Sequence, residues 1–188
     1  MPKLELVIEP DPRYNRISER LRQRAEPIEE ISDELRQLAE AMFETMIEEQ
    51  GVGLAAPQVG ENIRLIVARI PAGYAEDVEE DVELKLFNPE IVKAGGRDVD
   101  IEGCLSFPDL LGPVERYSWA IIKAQDAEGN RVRLRSRGIV ARVLQHEIDH
   151  LNGVLYFDRM DSVGMLFYPS ELEAEDEDEP ETEPAAIA

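Results

Sequence analysis

Histidine and cysteine are nearly absent from this chain: 188 residues contain two histidines and one cysteine. One cysteine rules out an internal disulfide, so nothing marks the protein for an oxidising compartment. Base is scarce beside acid, with 20 Lys and Arg against 41 Asp and Glu and a net charge of −21. Direct nucleic-acid binding is therefore not expected, because holding phosphates takes a basic face. No run of apolar residues approaches a membrane span, and the opening MPKLELVIEPDPRYNR has neither the basic nor the apolar region of a secretory signal. These absences point to a soluble cytoplasmic protein with no membrane partner.

The charge is unevenly spread. Residues 171–183, ELEAEDEDEPETE, hold nine acids and no base, which leaves −12 for the remainder. That stretch cannot bury enough apolar surface to offset its ordering entropy, so residues 169–188 read as an acidic, disordered tail. Residues 1–168 read as one domain, and 43% hydrophobic residues suffice for one core.

Along that domain, Leu4 to Ile8 reads as a short strand. A helix is expected from Asp33 to Gln50, capped by Ser32 or Asp33, striped by Leu35, Leu38, Met42 and Met46, and ended by Gly51. Gly51 to Gly60, GVGLAAPQVG, reads as a loop that allows close backbone approach, and it lacks the Lys-Ser or Lys-Thr ending of a phosphate-binding loop. Strands are expected at Ile63–Ile70, Glu83–Phe87, Asp98–Ile101, Trp119–Gln125 and Arg131–Arg135, the last two joined by a turn at Ala127–Asn130. Helix resumes near Ile139, with Val140, Val143, Leu144, Ile148 and Leu151 on its apolar side. Helix, then strands, then helix indicates an α+β fold of small mixed or antiparallel sheets packed around a central helix.

Both histidines fall in HEIDH, His146 to His150. Four residues apart on a helix, their imidazoles share a face and can converge on one metal ion, and Glu147 is placed to move protons on a water there. A catalytic centre of this kind usually takes a third protein ligand. The candidates are Tyr156, at the last position of an HExxHxxGxxH pattern completed by Gly153; Glu171 or Glu173, as in thermolysin-like proteases; and Cys104, in EGCLSFP. An HExxH metallopeptidase is the alternative function.

GVGLAAPQ (Gly51 to Gln58), EGCLS (Glu102 to Ser106) and QHEIDHLNG (Gln145 to Gly153) stand in this order, and together they resemble the three signature motifs of peptide deformylases. The resemblance runs from about Leu4 to Met160 and includes FNPEI, Phe87 to Ile91. It implies hydrolytic removal of the formyl group from the formyl-methionine of newly made polypeptides, which are met near the ribosome. In the resemblance Cys104, His146 and His150 hold one divalent ion, expected to be Fe2+ with Zn2+, Ni2+ or Co2+ also suitable. A metal-bound water or hydroxide is then the nucleophile and Glu147 the general acid and base, while the Gln58 amide and the Leu105 N–H face the developing oxyanion. Val52 and Gly53 would meet the peptide, and Ile139 and Val143 would wall the methionine pocket. Glu102 and Arg116 read as a supporting ion pair, and the protein as a monomer. Three features depart from the family pattern: the basic segment Ile17–Pro27, Arg137 ahead of the last helix, and the acidic tail.

Overall fold

The computed structural model describes residues 3–172. The first helix, α1 (Asp33–Glu48), starts where Ser32 Oγ accepts a hydrogen bond from the Leu35 N–H, and Asp33 and Glu34 add negative charge to its first turn. It buries Ala39, Met42, Thr45 and Met46. The chain leaves it through Gln50 at φ 59°, two residues earlier than expected.

Seven strands follow: β1 (Gly53–Ala55), β2 (Leu65–Ile70), β3 (Val82–Gly95), β4 (Asp98–Cys104), β5 (Phe107–Arg116), β6 (Trp119–Gln125) and β7 (Arg131–Arg137). The second helix, α2 (Gly138–Leu151), leads directly out of β7. Five strands form an antiparallel sheet in the order β1-β2-β3-β6-β7, while β4 and β5 form a separate hairpin. This is the α+β architecture read from the sequence. Among the described residues no helix is long and apolar enough to cross a membrane.

Several local readings change. Leu4–Ile8 joins no ladder; instead the Leu4 N–H donates to Thr45 Oγ1 and the Val7 N–H to the Gln58 carbonyl. The glycine-rich segment is not all loop, because β1 pairs with β2 and a 3-10 turn covers Ala56–Val59. β3 runs on to Gly95 instead of stopping at Phe87. Register shifts let it pass Asn88 and Pro89, and Asn88, at φ 52°, binds Ile28 through both its amide oxygen and its amide nitrogen. β5 escapes a reading by composition because Pro108, Gly112 and Pro113 look like turn residues; its outer edge makes backbone bonds only with Phe167, through Leu111, among the described residues, and so tolerates them. Residues 169–172 of the expected tail are helical, and the rest of that tail lies outside the described residues.

α2 is buried continuously from Ala141 to Leu151 because it is covered on two sides. Val143, Leu144, Ile148 and Leu151 pack on Ile66, Ala68, Ile70, Ala120 and Ile122 of the large sheet. Each of the buried Val, Leu and Ile side chains contributes about 1.5–3 kcal/mol by leaving water. Toward the β4–β5 hairpin the contacts are ionic and hydrogen-bonded instead, through Arg142 and His146. The polar face of one helix is thus held out of water against the hairpin that carries the cysteine.

Candidate active site

His146 and His150 lie one turn apart on α2, their ring centroids 5.0 Å from each other. Cys104 ends β4, just before the two-residue reversal Leu105–Ser106 that begins β5. That reversal turns Sγ toward the helix, to 3.3 Å from His150 Nε2. The ligand atoms of Cys104, His146 and His150 all lie within 4.8 Å of one another.

Gln58 reaches this cluster from the 3-10 turn after β1. Its amide oxygen accepts the Ala55 N–H at 2.9 Å, which orients the group, and Nε2 then points to Cys104 Sγ at 3.4 Å and Ser106 Oγ at 3.3 Å. A neutral amide donor is therefore held, fully buried, beside the thiol.

Beneath the histidines runs a chain of buried charges. Glu102 accepts two bonds from Arg116, at 2.8 and 2.9 Å, one from Arg142 at 2.8 Å, and lies 2.9 Å from His146 Nδ1. Arg116 continues to Asp149, which also accepts from Arg159 at 3.1 and 2.7 Å. Burial alone would raise the Glu102 pKa, but the bonds from Arg116 and His146 outweigh it and hold the carboxyl well below the usual range. With Nδ1 engaged by a carboxylate, His146 presents Nε2 to the cluster. Burial also works against charge on His146, yet its bonds to Cys104 and Glu102 prevail and hold it well above an ordinary histidine, while burial pushes His150 well below. The expected Glu102–Arg116 pair is present. Arg142 and Asp149 were not singled out; Arg142 sits one turn before His146, a helical spacing that offered a weak signal, whereas Asp149, directly before His150, offered none.

Glu147 is buried, Oε2 has no hydrogen-bond partner, and burial pushes its carboxyl up to about 7. It fits only because position 53 is glycine: a Cβ there would stand 2.3 Å from Glu147 Oε1. Gly53, Val52, Gln58, Cys104, Leu105, Ile139, Val143, His146 and Glu147 line one open cleft of about 1100 Å³, whereas His150 is buried and does not line it. Leu6 and Ile8 from the extended N-terminal segment, together with Tyr74, are among the further lining residues and were not foreseen.

Two of the three rival third ligands are occupied elsewhere. Tyr156 Oη donates to the Leu110 carbonyl, and burial raises its pKa further. Glu171 pairs with Arg13. Glu173 lies outside the described residues. One thiol and two imidazoles converging in a buried site, with Glu147 Oε2 and His150 Nδ1 left unpartnered, are a donor set that suits a borderline divalent ion.

A family model described as polypeptide deformylase matches residues 7–165. A peptide deformylase of Thermomicrobium roseum is 46% identical over 170 residues, covering 90% of this chain and 93% of that one. Among solved structures, the peptide deformylase of Synechococcus elongatus in complex with actinonin is 38% identical with a TM-score of 0.74, over 94% of this chain and 86% of that one. The Met-Ala-Ser-bound class I type b peptide deformylase of Acinetobacter baumannii is 36% identical with a TM-score of 0.75, over 85% and 99%.

Proposed function

The chain belongs to the polypeptide deformylase family of hydrolases, and from that premise we propose that it removes the formyl group from the formyl-methionine of new polypeptides by metal-assisted hydrolysis in the cleft described above. The observation that carries this reading is the convergence of Cys104, His146 and His150 beside an oriented Gln58 amide. In it Cys104, His146 and His150 hold one divalent ion, Fe2+ first among Fe2+, Zn2+, Ni2+ and Co2+. When bound, such an ion supplies Lewis acidity and lowers the pKa of a coordinated water.

The protein's own groups do the rest. Val52 and Gly53 lay the peptide along β1, and Ile139 and Val143 enclose the methionine side chain, so that the formyl carbon faces Glu147. Glu147 takes a proton as water adds to that carbon, and its raised pKa of about 7 suits a group that must both accept and return a proton near neutrality. Negative charge gathers on the formyl oxygen, where the Gln58 amide and the Leu105 N–H donate; one such donor can lower the barrier by about 3 kcal/mol. The carbon–nitrogen bond then breaks, Glu147 returns its proton to the departing amine, and formate leaves. The substrates are nascent chains met near the ribosome by a cytoplasmic monomer.

Formate release from a formyl-Met tripeptide by protein loaded with iron, nickel or cobalt tests the proposal. Release is expected with at least one of them, and its absence with all three overturns the reading. Retention of metal after Cys104→Ser would overturn the assigned ligand set separately.

A further inference from the structure

Folding gathers on one surface the base that the composition spreads thinly. β7 reads RVRLRSR, and its alternation places Val132, Leu134 and Ser136 toward the core and Arg131, Arg133, Arg135 and Arg137 outward. All four arginines are exposed, and among the described residues none has an ion pair or a side-chain hydrogen bond. They stand opposite Gln125, Lys123, Ile121 and Trp119 of β6, and Ile121 in turn stands opposite Lys93 of β3. Lys123 is paired with Glu90 at 2.8 Å, and Lys93 Nζ lies 5.9 Å from the centre of the Trp119 ring. Trp119, Ile121, Arg135, Arg137 and Lys93 line a groove of about 720 Å³.

A row of guanidinium groups repeating every second residue spans roughly 20 Å along a strand, with neighbours about 7 Å apart. Like charges so close repel one another, and among the described residues no carboxylate is paired with them. In a chain whose net charge is −21, that arrangement is complementary to a polyanion with evenly spaced charges. β7 is an edge strand, so its side is open, and α2 and the cleft occupy the other face of the sheet.

We propose that the outer face of β6 and β7 is a docking surface for the phosphate backbone of single-stranded RNA. The arginine row supplies the phosphate contacts, and Trp119 with Lys93 forms the adjoining wall of the groove. At physiological salt the Debye length is about 8 Å, so the acids elsewhere on the molecule are largely screened while the row still acts at contact. Binding is independent of base sequence, and because it uses no residue of the cleft, the inference stands whether or not the deformylase reading does.

Trp119 is the only tryptophan in the chain, so its fluorescence reports this surface alone. Titrating the full-length protein with an oligouridylate of about 12 nucleotides at ~50 mM salt is expected to change that fluorescence, with a Kd on the order of 10 µM. Four phosphate contacts give a salt slope near −2.8, so affinity falls about 50-fold between ~50 and ~200 mM salt. The double variant Arg133→Glu with Arg135→Glu is expected to bind at least about tenfold more weakly and to release formate from a formyl-Met tripeptide at the wild-type rate. Arg133→Gln and Arg135→Gln singly, less demanding on the fold, are each expected to reduce the slope by about 0.7. No fluorescence change at low salt, an unchanged slope in the single variants, or undiminished binding by the double variant overturns the proposal. An equal or stronger response to poly-glutamate also overturns it and identifies the row as a seat for acidic polypeptide.

Discussion

The two faces of the β6–β7 half of the sheet treat arginine in opposite ways. On the inner side, across α2, Arg116 and Arg142 are buried, and the carboxylates bonded to them are shared among several partners: Glu102 with both arginines and His146, Asp149 with Arg116 and Arg159. On the outer side Arg131, Arg133, Arg135 and Arg137 are exposed and have no acidic partner among the described residues. Compensation follows from burial. An uncompensated charge inside would forfeit several kcal/mol of hydration, whereas one at the surface keeps its water and costs little. The inner arginines therefore act as structure that holds Glu102 and, through it, His146, and the outer ones are left available.

The largest effect expected inside the cleft follows from a change of one atom. Glu147→Gln keeps the volume and, in our reading, the metal, but cannot take a proton from water. Turnover should fall by about 10²–10⁴-fold with metal content unchanged. Metal analysis beside the formate assay checks this, and near-normal turnover would remove the acid–base role. Gln58→Leu keeps the bulk and deletes the oriented donor; a loss of about 10²–10³-fold in turnover, with metal retained, is expected from kinetic measurements on the loaded protein.

Gly53→Ala reaches the same carboxylate by a different route. The new Cβ would lie 2.3 Å from Glu147 Oε1, so either the carboxylate or β1 must shift. A displacement of about 1 Å at a reacting group can cost on the order of 10²-fold. Wild-type activity in this variant would show that Glu147 does not depend on its present position.

Much of the fold and site could be read in the sequence, and the parts that could not share a cause. α1, β6 and β7 are legible from regular periods, while β2, buried on both faces, is legible as an apolar run and α2, covered on two sides, from the apolar stripe it turns to the sheet. β5 and the extension of β3 were missed because Pro108, Pro113 and Pro89 are tolerated only through hairpin edges and bulges, which are properties of the partner strand. In the site, HEIDH exposed two candidate ligands, but residue chemistry alone left Cys104, Tyr156, Glu171 and Glu173 in competition; motif resemblance favours Cys104, and Tyr156 and Glu171 are engaged elsewhere. Arg142 and Asp149 stayed hidden because their importance lies in contacts with the distant Glu102 and Arg116. The arginine row was written plainly as RVRLRSR, yet the total charge argued against a basic surface, since a sum over the chain carries no information about which face a strand turns to water.

Two substitutions of arginine sharpen the contrast in stability. Arg116→Met leaves Glu102 and Asp149 buried with fewer partners, although Arg142 and Arg159 still reach them. Removing one member of a buried pair typically costs about 3–5 kcal/mol, so Tm should fall by roughly 10 °C in calorimetry. A loss below about 1 kcal/mol would mean that the remaining arginines suffice and that the network is redundant.

Arg135→Gln is expected to do almost nothing to folding, and the sign of the small change is informative. Arg135 lies between Arg133 and Arg137 on the same face, about 7 Å from each, where two unit charges in water repel by roughly 0.6 kcal/mol before screening. At about 0.1 M salt the Debye length of ~10 Å reduces this to a few tenths of a kcal/mol for each neighbour. Loss of Arg135 should therefore leave stability unchanged or raise it slightly at low salt, and the gain should vanish at ~1 M salt, where the Debye length is ~3 Å. Denaturant titrations at the two salt concentrations measure this directly. A destabilisation above about 1 kcal/mol, independent of salt, would show that Arg135 is held by a structural contact, and the difference between the faces would then lie in exposure alone.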